Sequence, residues 1–143
     1  MTAIVLEQLG FNTTLTGRKR RRQGTGSFAD VYFEIPSTDW ASILDCKSTS
    51  QYSLPHNHIV LMDDYISVSK TDLLHEGYEL KTVGYVSGGF TSNIDNPLKE
   101  ITARTNVPAW ATRPQWLLKQ LDIAPDIRLE QISSKMKAGG HLV

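Results

Sequence analysis

Apolar residues along this chain fall into short blocks whose spacing changes from helical to alternating and back. Ile4, Val5, Leu6 and Leu9 recur at helical spacing and Gly10 follows as a stop, which predicts a helix over Thr2–Leu9. A loop through Ser27 leads into two apolar runs, Phe28–Ile35 and Trp40–Lys47, separated by Pro36-Ser37-Thr38-Asp39. Apolar strand-like runs around a Pro-Ser-Thr-Asp cluster predict two strands joined by a chain reversal. After Pro55, the spacing i, i+3, i+7 of Ile59, Met62 and Ile66 predicts a helix within Leu54–Ser69. Tyr78–Val86 reads as a third strand. Ser92 or Asn93 is placed to cap a helix to about Thr105, with Pro97 near its first turn. Val107–Ala111 reads as a short fourth strand despite Pro108, and Pro114–Leu121 and Ile127–Lys137 as closing helices, the last ended by Gly139-Gly140. The predicted class is α/β, a small mixed β-sheet flanked by helices, in one domain over residues 1–143.

The predicted pair of strands changes the picture, because it carries charge at one end. Asp30 lies in the first run and Asp45 and Lys47 close the second, so folding the pair brings both carboxylates to one end of the sheet. Adjacent carboxylates repel, and a divalent cation between them removes that cost. Lys47, two residues after Asp45 on a strand, shares its face. There it can orient or deprotonate a water, or stabilise charge on a phosphorane-like transition state. The alternative is that Asp30 and Asp45 merely end two strands at a solvated edge.

Ala29-Asp30 followed by Asp45-Cys46-Lys47 is similar to the motif of the PD-(D/E)XK nucleases, with Ala29 in place of the proline. Over nearly its whole length the chain resembles the cleavage domain of FokI and related type IIS restriction endonucleases. The resemblance runs through Val5-Leu6-Glu7-Gln8-Leu9-Gly10-Phe11, Ile43-Leu44-Asp45-Cys46-Lys47, Tyr52-Ser53-Leu54-Pro55 and Tyr85-Val86-Ser87-Gly88-Gly89-Phe90. It continues through Leu98-Lys99-Glu100-Ile101-Thr102, Trp116-Leu117-Leu118 and Leu129-Glu130-Gln131-Ile132, in the family's order. What the resemblance implies is a restriction-endonuclease-like core with Asp30 and Asp45 holding Mg²⁺, helped by the backbone carbonyl of Cys46, and Lys47 serving the attacking water. It further implies hydrolysis of double-stranded DNA with little sequence preference, targeting by a separate recognition domain or large subunit, and a dimer of nuclease domains for double-strand cleavage. The chain departs from the family in three places. It starts almost on its first helix, the segment from Ile66 to Leu80 is short, and the positions of the family's homodimer charge pair hold Val60 and Asp64.

Composition adds little beyond ordinary globularity: 143 residues, 40% hydrophobic, 21% charged and zero formal net charge. No apolar run approaches the roughly 20 residues of a membrane span, and the N-terminus lacks the pattern of a secretory signal. One cysteine, Cys46, excludes an internal disulfide and fits a reducing cytoplasm. Alternation turns its side chain away from Asp45 and Lys47, toward expected burial.

The distribution of charge says more than its sum. Arg18, Lys19, Arg20, Arg21 and Arg22 form one unbroken run, five of the chain's 15 basic residues, just before Asp30. Such a run suits DNA phosphates, or else a solvated loop or localisation-type signal. Gly24-Thr25-Gly26 is too short for a P-loop, and no Lys-Ser or Lys-Thr pair follows it.

Other chemistry-bearing residues carry weaker signals. His56 and His58 do not share a helical face and lack further zinc ligands, so a surface or helix-start role is expected. His75 and His141 are expected to be exposed, and Trp110 and Trp116 to lie in a core or interface. Glu34 and Glu7 are outer candidates for a metal contact. No base-reading module is visible. Two rivals remain: a nuclease-like fold used only for DNA docking or dimerisation, and a repair or transposon-end nuclease with the same core.

Overall fold

The computed structural model describes residues 2–15 and 29–143, and the basic run Arg18–Arg22 lies outside them. Strands β1 (Asn12–Leu15), β2 (Val31–Glu34), β3 (Trp40–Lys47), β4 (Glu79–Ser87), β5 (Ala109–Thr112) and β6 (Gly140–Leu142) form one sheet in sequence order. β1, β2 and β3 pair antiparallel, whereas β3, β4, β5 and β6 run parallel. The parallel crossovers are made by α2 (His56–His75), α3 (Asp95–Thr105) and, after α4 (Pro114–Lys119), α5 (Pro125–Ala138). Helix α1 (Thr2–Leu9) precedes the sheet. The expected α/β class with a mixed sheet flanked by helices is thus the observed one.

Alternation along the strands divides the core between two faces. Tyr32, Ala41, Ile43, Val83 and Tyr85 pack with Ile59, Met62, Ile66 and Leu73 of α2 and Leu98 and Ile101 of α3. Val31, Phe33, Leu44, Val86 and Trp110 face the other way, against α1, α4 and α5. Each fully buried aliphatic side chain contributes roughly 1.5–3 kcal/mol relative to exposure. The helical stripe Ile59, Met62 and Ile66 therefore belongs wholly to this domain's own core and offers nothing to a partner. Trp110 and Trp116 are also core residues. Trp110 lies so close to β4 that a Cβ on Gly84 would fall 2.2 Å from the indole.

Two edge strands were not expected. The sequence pattern places Asn12–Leu15 in a loop, yet these residues pair with β2 in register Asn12↔Glu34 to Leu15↔Val31. Gly139-Gly140 stops the last helix as expected, but Gly140–Leu142 then pairs with β5 as a strand. α2 runs on to His75, beyond the expected Ser69. α3 begins at Asp95, and neither Ser92 nor Asn93 is its cap residue, which is Ile94. Among the described residues no helix is long and apolar enough to cross a membrane.

Candidate active site

Strand pairing assembles the acidic residues. The β2–β3 register runs from Glu34↔Ala41 to Val31↔Leu44, so Asp30, one residue before β2, arrives beside Asp45. The two are tied reciprocally. The Asp30 backbone N–H donates to Asp45 Oδ1 at 3.2 Å, and the Cys46 N–H donates to Asp30 Oδ2 at 2.8 Å. Lys47 Nζ lies 3.0 Å from Asp45 Oδ2. Asp45 is buried, at 7% exposure, whereas Asp30 is exposed. The cluster sits at the carboxyl end of β3, where open α/β sheets characteristically bind ligands.

Electrostatics mark the two carboxylates as crowded. Although Asp30 as a whole residue is exposed, partial burial of its carboxyl raises it above the usual carboxylate range, and Asp45 adds to the rise. The Cys46 N–H and Lys47 oppose it. The rise is thus chiefly a desolvation effect, to which the neighbouring carboxylate contributes. Carboxylate and carbonyl oxygens are hard donors of the kind a hard divalent cation takes, so the residues present fit such an ion. Among the described residues no group of three or more His, Cys, Asp or Glu gathers to hold a metal.

Asp30 yields a prediction in the metal-free protein. Its folded pKa lies above the unfolded value of 3.8, so the folded state holds the proton more tightly. This group's contribution therefore falls as pH rises through that range and is unfavourable at neutral pH. Asp30→Asn, which keeps an acceptor for the Cys46 N–H, should raise Tm in EDTA at pH 7 by about 1–3 °C, a small effect because the group is solvent-screened. It should also lose the stabilisation that Mg²⁺ gives the wild type. Melting curves at matched pH check both, and a lower Tm for the variant in EDTA would contradict the repulsion.

An aromatic wall that the sequence did not announce surrounds the cluster. Tyr85 pairs with Asp45 across β3 and β4, and its ring lies 5.5 Å from that of Tyr52. The Tyr52 ring lies 5.7 Å from Lys47 Nζ, and its hydroxyl is 2.7 Å from His58 Nδ1. The Tyr65 hydroxyl on α2 is raised by burial, then by the charges of Asp45 and Asp30. Burial, then Asp45, raises Tyr52, while burial, then Lys47, lowers His58. Tyr52 and Tyr85 carried a sequence signal, as part of Tyr52-Ser53-Leu54-Pro55 and Tyr85-Val86-Ser87-Gly88-Gly89-Phe90, whereas Tyr65 carried none.

The Tyr85 hydroxyl is buried with no hydrogen-bond partner among the described residues. An unsatisfied buried hydroxyl is unfavourable. Tyr85→Phe is accordingly expected to leave stability unchanged or raise it by up to about 1 kcal/mol in urea denaturation. A comparable loss would show that the hydroxyl is satisfied in solution.

Several expectations require correction. The Cys46 side chain does point away from Asp45 and Lys47, toward Thr2, but the residue is exposed rather than buried, one position from the end of β3. Glu34 lies at the opposite end of β2 from Asp30, opposite Ala41, where it raises Tyr78. At roughly 3.3 Å per residue it is remote from the acids. Glu7 accepts a hydrogen bond from Thr13 Oγ1. His56 is exposed on the first turn of α2, 3.7 Å from Glu100, and His75 is exposed. His58 belongs to the aromatic wall, and His141 packs edge-on against Phe90 with its Nε2 buried. Val60 and Asp64 both face solvent on α2, with Leu61 beside them.

Comparison with known proteins places this arrangement in a class. The model of the FokI cleavage domain matches residues 1–137. The structure of restriction endonuclease FokI bound to DNA superposes with a TM-score of 0.71 at 16% identity, covering 97% of this chain and 26% of that one. A second structure of FokI gives the same values. The chain thus spans about a quarter of the length of the FokI structures it matches. No curated protein matches the chain. The fold is that of a restriction-endonuclease catalytic domain. The chain belongs to the FokI cleavage-domain family.

Proposed function

We propose that this chain is the Mg²⁺-dependent cleavage unit of a type IIS restriction or nicking system, hydrolysing phosphodiester bonds of double-stranded DNA with little sequence preference of its own. The observation that carries the reading is the cross-tied pair Asp30 and Asp45 with Lys47 3.0 Å from Asp45. Asp30, Asp45 and the Cys46 carbonyl are the groups that would hold the ion. When bound, Mg²⁺ polarises a phosphoryl oxygen and makes a bound water more acidic. Lys47, as an ammonium paired with Asp45, acts as a donor that orients the attacking water and meets negative charge developing on the phosphate. The buried side of the cluster keeps Asp45 directed and partly dry.

Partners follow from the same reading. FokI is a structure bound to DNA and is about four times as long in the comparison, which supports a recognition domain or large subunit outside this chain. Arg18, Lys19, Arg20, Arg21 and Arg22 would supply phosphate contacts with salt-dependent, sequence-independent affinity. One cluster is one cutting centre, so cleavage of both strands calls for a second nuclease domain. With Val60 and Asp64 at the family's homodimer positions, that second domain is a different partner, and the isolated chain is a monomer that nicks weakly or not at all. A reducing cytoplasm suits the free Cys46.

Supercoiled plasmid incubated with Mg²⁺, with and without a recognition subunit, tests the reading. Little or no nicking by the chain alone and efficient nicking with the subunit are expected, with linear product only where the subunit brings a second nuclease domain and no cleavage in EDTA. Plasmid left intact in every Mg²⁺ arm would overturn it.

A further inference from the structure

The segment that follows Lys47 is held more firmly than a surface loop requires. Ser87 Oγ donates to the Thr49 carbonyl at 2.6 Å and the Gly88 N–H to the same oxygen at 3.1 Å. The Tyr52 N–H donates to the Gly89 carbonyl at 3.0 Å, and the Thr91 N–H to the Tyr52 carbonyl at 3.1 Å. The approach is so close that a Cβ on Gly89 would fall 2.2 Å from the Ser50 carbonyl oxygen. These contacts form a strap from 49 to 52 latched to the end of β4. Its last residue, Tyr52, is turned inward and buried, between Tyr85, Phe90 and the Lys47 ammonium.

At the far end of the Tyr52 ring, the hydroxyl meets His58 Nδ1 at 2.7 Å. The two rings are inclined by only 26° with centroids 5.6 Å apart. His58 sits in the first turn of α2, a 20-residue helix anchored in the core, so the strap, the ring and the helix form one rigid frame. The lysine has few alternatives inside it. One side of its ammonium is held by Asp45 at 3.0 Å. On another lies the Tyr52 ring at 5.7 Å, within the roughly 6 Å reach of a cation–π contact.

We propose that Tyr52 and His58 form a positioning pair for Lys47: the tyrosine ring confines the ammonium against Asp45, and the hydroxyl–imidazole bond fixes the ring. The pair acts through Lys47 and does not itself touch the reacting phosphate. This proposal rests on the assignment of Lys47 to phosphodiester hydrolysis, but the placement of Lys47 is measurable without turnover.

The test uses the full chain with Tyr52→Phe, His58→Ala, the double variant, His58→Asn and Tyr52→Leu. Asparagine can return a polar atom near the place of Nδ1. Tyr52→Phe and His58→Ala should each lower kcat for plasmid nicking about 3- to 10-fold at unchanged KM, since small displacements of an acting group are costly. The double variant should be no worse than either single one, because both remove the same bond. His58→Asn should recover most of the loss. In metal-free protein, the NMR resonances of the Lys47 side-chain terminus should carry a ring-current shift that Tyr52→Leu abolishes and Tyr52→Phe retains with broader lines. Wild-type kcat in Tyr52→Phe and His58→Ala, multiplicative losses in the double variant, or Lys47 resonances unmoved by Tyr52→Leu would each overturn the pair. If Tyr52→Leu does not fold, the Tyr52→Phe and His58→Ala cycle decides. If the wild type nicks neither alone nor with a recognition subunit, the hydrolytic assignment of Lys47 fails, and the resonances alone decide whether the pair positions the ammonium.

Discussion

Lys47→Ala is expected to reduce Mg²⁺-dependent plasmid cleavage by at least about 10³-fold while leaving the protein folded and able to bind both Mg²⁺ and DNA. The expectation follows from what Lys47 touches. Its ammonium meets Asp45 and the Tyr52 ring at a partly exposed edge, and such contacts contribute about 1 kcal/mol or less to stability. The same group, placed against charge that develops on a phosphate, is worth far more in the transition state: loss of one preorganised donor commonly costs about 10²–10³ in rate. Here the donor also orients the water, hence the larger figure. Both carboxylates remain, so metal affinity survives. The check is a nicking time course beside a thermal melt with and without Mg²⁺. Cleavage at the wild-type rate by the variant would remove Lys47 from the mechanism. Ca²⁺ in place of Mg²⁺ should give a similar outcome by another route, binding without turnover, because its longer and looser coordination positions water and phosphate poorly.

Asp45→Asn should fail one step earlier. Asp45 is the buried member of the acidic pair, its Oδ1 accepting the Asp30 N–H and its Oδ2 facing Lys47. The amide keeps the shape and one acceptor but removes the charge, so the proposed metal site loses one of its two carboxylate charges and Lys47 loses its counter-ion at 3.0 Å. Cleavage should fall by about 10³-fold or more, consistent with loss of the metal's charge stabilisation and activated water. Unlike Lys47→Ala, this variant should show no heat of Mg²⁺ binding by titration calorimetry and no Mg²⁺-dependent rise in Tm. The two variants together separate chemistry from metal capture: one binds and does not cut, the other does neither. An Asp45→Asn protein that binds Mg²⁺ as the wild type does would displace the metal from this acidic pair.

What could be read along the chain and what could not differ in range. Thr2–Leu9 and Trp40–Lys47 were legible to the residue, because apolar spacing within eight positions reports helix or strand directly. The β2–β3 pairing was legible because a four-residue turn makes its partner local, and with the pairing came the convergence of Asp30, Asp45 and Lys47. Period 2 alone places Asp45 and Lys47 on one face and Cys46 on the other.

Contacts across the fold were not written in any local pattern. Asn12–Leu15 and Gly140–Leu142 are strands only because a neighbour supplies the ladder; four polar-rich residues, or three beginning with glycine, have no alternation to announce them. Glu34 shares a strand face with Asp30 in the pattern, yet the register carries it to the other end of the sheet. Alternation predicts Cys46 inside, yet solvent reaches it at the end of β3. The aromatic wall is the clearest case. Tyr52 and His58 are six residues apart across a proline, a spacing that belongs to no regular element, and they meet because the strap latched to Ser87, Gly88 and Gly89 turns the tyrosine inward beneath α2. Local periodicity determined the acidic pair and its lysine. Only long-range packing, in which β4 is already in place to receive the strap, decided what surrounds that lysine.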